Sequence, residues 1–265
     1  MRAAVLEEFG WPLVVRDLPT PVAGPGEVLV RISASGVNPL DVKIHAGQAD
    51  HARVQPPFVL GLDLAGVVEA VGPEVAGFAP GDEVYGLTGG VGDLPGSLAQ
   101  FAAVDARLLA HKPESVSPRE AAALPLAAIT AWEGLVDRAG VHAGQRVLVH
   151  GGAGGVGSVA VQIARARGAE VFATVSPARA ALVEALGATP IDRTSTSVEE
   201  YPLRKANRTA TATPAQMHTR RRPARLRKKP CARAGGSVLS SRTPMAASPV
   251  SVTPPIRAMS DITVT

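Results

Sequence analysis

Cysteine is almost missing from this chain: Cys231 is the only one in 265 residues, which excludes an internal disulfide and a multi-cysteine zinc centre. No run of 18 or more apolar residues occurs, so no membrane-spanning helix is expected. Met1 to Phe9 carries two acids and reads as a strand, not as a signal peptide. A soluble, cytoplasmic protein is the expectation. The six histidines (His45, His51, His111, His142, His150 and His218) show no metal-ligand spacing. No nucleophile, base and acid arrangement is visible either.

Acidic residues are scarce in one place only. Residues 201–265 hold 13 Lys and Arg against one acid, Asp261, whereas residues 1–200 hold 14 against 22. The same stretch has eight of the 23 prolines and only nine Leu, Ile, Val or Phe, too little aliphatic content for a packed core. A basic tail invites nucleic acid through counterion release. Against that, Tyr201 is its only aromatic, with no Phe or Trp, so stacking platforms are lacking. The abrupt turn to Arg, Pro, Thr and Ala suggests a lost reading frame between about residues 201 and 232. Gly235–Ser240 and Ile262–Thr265 look like later strands. On this reading the parallel sheet lacks a fourth strand, and low stability with weak ligand binding follows.

What is present is an ordered run from Arg146 to Ser176. Arg146-Val147-Leu148-Val149-His150 is an apolar, β-branched strand, followed by Gly151-Gly152-Ala153-Gly154-Gly155-Val156-Gly157 and a helix predicted over Ser158–Arg167. Gly152, Gly154 and Gly157 fit G-x-G-x-x-G: the first for a tight turn, the second for backbone approach to phosphate, the third for helix–strand packing. The helix N-terminus then offers unpaired N–H groups to a diphosphate. A second strand, Glu170–Ser176, ends where an NAD-type site carries an acid for the ribose 2′-hydroxyl. Here the residue is Ser176, and Arg179 follows three positions on. A hydroxyl beside a cation favours a 2′-phosphate, hence NADP(H). The plain alternative is that both residues cap and solvate a helix predicted over Ala178–Leu186.

Residues 1–110 read as short strands broken by Gly and Pro, including Val28–Ile32, Gly66–Gly72 and Asp82–Tyr85, which argues for a small barrel or sandwich. Ser117, Pro118 and Glu120 form a capping box at a helix start. Strands and helices alternate from 146 to 191, with a third strand beginning at Pro190-Ile191-Asp192, so a parallel sheet is expected there.

Several separated motifs then agree in order and spacing: Gly36-Val37-Asn38-Pro39-Leu40-Asp41-Val42-Lys43, Gly61-Leu62-Asp63-Leu64-Ala65-Gly66, Pro80-Gly81-Asp82-Glu83-Val84-Tyr85-Gly86, Ala121-Ala122-Ala123-Leu124-Pro125, Thr130-Ala131-Trp132 and the glycine turn. With these, residues 1 to about 195 resemble a zinc-independent medium-chain dehydrogenase/reductase of the quinone oxidoreductase, or zeta-crystallin, type. The resemblance implies an α/β fold with a β-barrel: a GroES-like substrate domain over 1–115 and the first half of a Rossmann NADP-binding domain over 116–200. It implies that Asn38, Asp41 and Lys43 line the cleft, with Thr130 near the nicotinamide. Gly154, Gly155, Val156 and Gly157, beside Gly152 and Ala153, would hold the pyrophosphate, and Ser176 and Arg179 the 2′-phosphate. Arg193 stands where the family commonly has a tyrosine at the adenosine end. A homodimer is family-typical.

Zinc-dependent relatives place a cysteine at Asn38 and Gly-His-Glu at Gly61-Leu62-Asp63. Without thiolate and imidazole the Lewis-acid route is closed. Hydride transfer to a quinone or an α,β-unsaturated carbonyl fits, because donors in the cleft can stabilise a developing oxyanion. A truncated homologue that binds nucleotide weakly and turns nothing over is the alternative. Individually the cleft residues have plain readings too. Asn38-Pro39 with Asp41 is ordinary helix-cap chemistry. Lys43 is a solvated cation by default, and Tyr85 serves equally as cleft proton donor or as strand packing.

Overall fold

The computed structural model describes residues 1–192, Thr194 and the strand 210–212. Strands β1 (Arg2–Leu6), β2 (Val14–Asp17), β3 (Glu27–Gly36), β4 (Phe58–Val59), β5 (Asp63–Val71), β6 (Glu83–Leu87), β7 (Phe101–Asp105) and β8 (Leu109–His111) build the N-terminal half, with one helix, α1 (Pro39–His45), inserted after β3. Five form an antiparallel sheet in the order β7-β3-β5-β6-β8, and three a second sheet, β2-β1-β4. The two are stitched through residues 98–100: Ala4 N–H donates to Leu98 O (2.8 Å) and Gln100 N–H to Arg2 O (3.0 Å) on one side, and Ile32 N–H to Gln100 O (2.9 Å) on the other. Pairing on both sides of that segment joins the two sheets in a barrel-like arrangement. Alternation along β3 and β7 turns Val28, Val30, Ala102 and Val104 inward against Leu64, Val68 and Val84, the period-2 pattern of a half-buried strand.

Helix α2 (Pro118–Ala122) starts as its sequence requires. Ser117 N–H donates to Glu120 Oε2 at 2.8 Å, and Glu120 N–H returns to Ser117 Oγ at 3.3 Å. The helix lies on the barrel, where Ala121 and Ala122 pack with Ala65, Val116, Ala34 and Tyr85. Its end comes so close that a β-carbon on Gly36 would stand 2.3 Å from Ala122 O.

Helix α3 (Pro125–Trp132) leads into a π-helical turn, Glu133–Arg138, and then a second layer. That layer comprises β9 (Arg146–His150), α4 (Gly155–Ala166), β10 (Glu170–Val175), α5 (Ala180–Ala185), β11 (Thr189–Asp192) and β12 (Ala210–Ala212). The strands are parallel in the order β11-β10-β9-β12, the doubly wound arrangement whose ligands bind beyond the carboxyl ends of the strands. Its core joins Ala127, Ala131 and Leu135 to Val147, Val149, Val161, Ala164, Val171, Ala173 and Val183.

Three expectations need correction. The sheet does have a fourth strand, since Ala210–Ala212 pairs with Val147–Val149. Three residues carry no periodicity, so only the open edge of β9 defines that strand. Helix α4 begins at Gly155, three residues earlier than expected, because close packing of the glycine turn overrides glycine's poor helix propensity. The segment expected as one helix over Ala178–Leu186 is a 3-10 turn, Pro177–Arg179, followed by α5; Arg179 departs from helical backbone at φ −116° and ψ 10°. The later strands expected at 235–240 and 262–265 lie outside the described residues. No helix among the described residues is long and apolar enough to cross a membrane.

Candidate active site

The glycine turn sits at the carboxyl end of β9, and its tight bend is made by Gly151, not Gly152. Gly151 has φ +68°, a left-handed conformation that costs a glycine little. Gly152 is needed for a different reason: a β-carbon there would lie 2.4 Å from the Ala173 side chain on β10. Gly157 is equally constrained, with Gly151 O 2.1 Å from the place of its missing β-carbon. Sequence spacing finds the glycines but assigns the bend to the wrong one, because backbone handedness depends on how the turn meets β10.

Most of the turn's own amides are spent. Gly151 N–H donates to Thr174 Oγ1 (3.0 Å), Gly152 N–H to Thr174 O (3.0 Å) and Gly154 N–H to Gly151 O (2.9 Å). Gly155, Val156 and Gly157 occupy the first turn of α4, where N–H groups have no partner within the helix. A β-carbon on Gly155 would meet nothing within 4 Å, so the turn is open on that side of Gly155. Arg179, exposed beyond β10, reaches back to this turn, its Nη1 3.5 Å from Ala153 O. Half-buried Ser176 accepts the Arg179 N–H on its carbonyl at 2.9 Å. First-turn amides, a helix dipole and a guanidinium thus stand together at one turn, whose donors suit the diphosphate and phosphate of a dinucleotide. Arg193 lies outside the described residues.

On the barrel side, Asn38 precedes α1. Its N–H donates to Asp41 Oδ2 at 2.7 Å, closing the first turn, and its Nδ2 donates to Asp63 Oδ2 at 2.9 Å. Asp63 is 1% exposed. Its other oxygen, Oδ1, accepts Leu126 N–H of α3 at 3.1 Å, and its carbonyl accepts Ser97 Oγ at 2.7 Å. Because Ser97 spends its proton there, Ser35 is the donor in the 2.6 Å contact between the two hydroxyls. Gly61, at φ +109°, makes room for Ser97, whose Oγ stands 2.4 Å from where a β-carbon would be. Burial pushes the Asp63 carboxyl up to about 6, opposed by the Asn38 amide and the Leu126 N–H, with nearby Asp41 adding to the rise. Burial raises Asp41 as well, against the amide of Asn38 and then those of Gly61 and Leu62. None of these supplies Asp41 Oδ1 with a hydrogen bond; that buried atom has no partner among the described residues.

Asn38 and Asp41 are therefore brought together, and the cap reading of the pair holds. Lys43 is exposed, two residues beyond buried Asp41 on α1 and so on another face of the helix. Tyr85 is half-buried against Ala65, Ala121 and Ala122, the strand-packing role. Thr130 is half-buried on α3, the helix that Asp63 caps. The residue that sequence reasoning overlooked is Asp63 itself. Its signal was present: a lone carboxylate inside the apolar run from Phe58 to Val68 is rarely buried without a partner.

Residues 24–114 match the alcohol dehydrogenase GroES-like domain. An alcohol dehydrogenase superfamily protein from Novosphingobium aromaticivorans superposes with TM-score 0.72 at 62% identity, covering 72% of this chain and 58% of that one. Among curated proteins, 2-methylene-furan-3-one reductase of Solanum lycopersicum is 44% identical over 183 residues, 66% of this chain and 47% of the relative. The chloroplastic NADPH-dependent alkenal/one oxidoreductase of Arabidopsis thaliana is 40% identical over 212 residues, 76% of this chain and 55% of the relative. The chain thus spans about half the length of these curated relatives.

Proposed function

Since this chain belongs to the medium-chain dehydrogenase/reductase family of quinone and enone oxidoreductases, we propose that it binds NADP(H) and reduces a quinone or an α,β-unsaturated carbonyl without a metal. The observation that carries this reading is the glycine turn at α4, where the Gly155, Val156 and Gly157 amides have no partner within the helix and Arg179 stands beside the turn. A dinucleotide supplies hydride to the acceptor when bound. Gly155, Val156 and Gly157 hold its diphosphate. Ser176 and Arg179 favour the 2′-phosphorylated form, since no carboxylate stands at that position to repel it. The name of the Arabidopsis relative supports the same cofactor.

The chain's own residues position and polarise the acceptor. Asn38 and Asp41 form the barrel edge of the cleft and Thr130 the cofactor edge; the Asn38 amide and the Thr130 hydroxyl are the donors available to a carbonyl oxygen as charge develops on it. Acceptors of this type need no Lewis acid, which agrees with Asn38 and Leu62 standing where zinc-dependent relatives place thiolate and imidazole. Steady-state NADPH oxidation with a benzoquinone and with a simple alkenal tests the activity, and calorimetry with NADPH and NADH tests the cofactor. Binding of neither nucleotide, or no turnover by a folded, NADPH-bound chain, refutes it.

A further inference from the structure

Asp63 ties the barrel side of the cleft to α3 with a single side chain. Its two oxygens are used in opposite directions, Oδ1 toward the first turn of α3 at Leu126 and Oδ2 toward Asn38 ahead of α1. The α3 end is otherwise uncapped by side chains: Leu124, at the N-cap position, makes no side-chain cap bond, so a carboxylate from a strand 63 residues earlier takes the part that Ser117 plays locally for α2. An ionised carboxylate accepts only. Facing it, the Asn38 amide must present Nδ2, and the orientation of that amide is thereby fixed.

We propose that Asp63 is a positioning residue, through which the start of α3 sets the amide orientation of Asn38 and the placement of α1 for the reaction. The inference rests on the proposed function for its role in catalysis, but not for the pairing itself. Three features support it. Asp63 is nearly fully buried, so water does not substitute for either donor. Its carbonyl is pinned by the Ser35–Ser97 hydroxyl pair, which leaves the side chain little freedom to retreat. Asp41, the other carboxylate acting on it, lies on α1 and is fixed by the Asn38 N–H, so the three residues form one unit with α3. Movement at Leu126 is transmitted to Asn38 through two hydrogen bonds and no solvent.

Two measurements on the full chain test this. The first exchanges the partners and reads stability by denaturant unfolding at neutral pH. Asn38→Asp sets two carboxylates against each other and is expected to raise the unfolding constant at least about tenfold, whereas Asp63→Asn leaves two donors facing one acceptor but removes a buried charge, so its loss is smaller. The double variant, Asn38→Asp with Asp63→Asn, restores an acceptor at 38 opposite a donor amide at 63, which keeps its oxygen for Leu126. It is expected to recover to within about threefold of wild type, and a double variant no better than the weaker single one overturns the pairing. The second reads hydrogen exchange with and without saturating NADPH. In the wild type, NADPH slows exchange in the 151–157 turn and also in α1; in Asp63→Ala the turn stays protected while α1 exchanges as in the free chain. Protection of α1 that survives Asp63→Ala, or that never occurs in a wild type whose turn is protected, overturns the positioning role. A wild type unaffected by NADPH anywhere overturns the proposed function and with it the catalytic role of Asp63, while the partner exchange still decides whether the pairing exists.

Discussion

Gly157, in the first turn of α4, stands so close to Gly151 that a β-carbon on it would come within 2.1 Å of the Gly151 carbonyl oxygen. The contact is backbone against hydrogen, with no flexible side chain to give way. Gly157→Ala must therefore push α4 away from β9, which costs about 1–3 kcal/mol in an overpacked site. The displaced amides at 155–157 are the ones proposed to hold diphosphate. Thermal unfolding is expected to drop, and NADPH affinity by calorimetry to fall at least about tenfold. Unchanged affinity in a folded Gly157→Ala chain shows that the 155–157 amides do not hold the diphosphate.

Arg179 gives a selectivity prediction instead of a stability one. It is exposed, and its side chain touches the edge of the turn through Ala153 O at 3.5 Å, so Arg179→Ala is expected to leave folding alone. A guanidinium facing a 2′-phosphate is lost while the diphosphate cradle remains. NADPH affinity is expected to fall about tenfold, with NADH affinity unchanged, and the difference to shrink as salt rises. Calorimetry with both nucleotides at two ionic strengths checks this. A parallel loss for both would assign Arg179 to the turn's structure.

The buried carboxylate makes stability depend on pH with a definite sign. Burial raises the Asp63 carboxyl from 3.8 to about 6 in the folded chain, so the native state holds that proton more tightly than the unfolded one. Its contribution is fully present below about pH 4 and is lost as pH rises through about 6, a change of roughly 3 kcal/mol. Asp41, also raised, acts in the same direction. Denaturant midpoints measured from pH 4 to 8 are expected to decline over that window and then level. Asp63→Asn flattens most of the decline; an undiminished slope in that variant would assign the effect to other groups.

Helix α2 offers a local control. Ser117→Ala removes the oxygen that receives Glu120 N–H and is expected to cost about 1 kcal/mol. Because α2 packs on the barrel through Ala121 and Ala122, the loss appears in unfolding of the whole chain and not in nucleotide affinity. Weakened NADPH binding in Ser117→Ala would show that α2 communicates with the glycine turn.

Much of this molecule is legible in its residues because the information is local. Ser117-Pro118-Arg119-Glu120 and Asn38-Pro39-Leu40-Asp41 close their own first turns, and the structure shows both. The apolar strand, glycine turn and helix from Arg146 onward appear in order, and the family motifs locate the barrel. Where sequence reading went astray, the deciding contact was distant. The bend falls on Gly151, through the way the turn is tied to Thr174. The strand at Ala210–Ala212 exists through the edge of β9.

The amino-acid order alone determined the capped starts of α1 and α2 and the strand, glycine turn and helix order from Arg146, since each depends on backbone conformation and hydrogen bonds within a few residues. Only the tertiary structure decided that Asp63 joins Asn38 to Leu126. A carboxylate's partners, and the desolvation that raises its pKa, follow from which segments surround it in space, and no spacing along the chain encodes that.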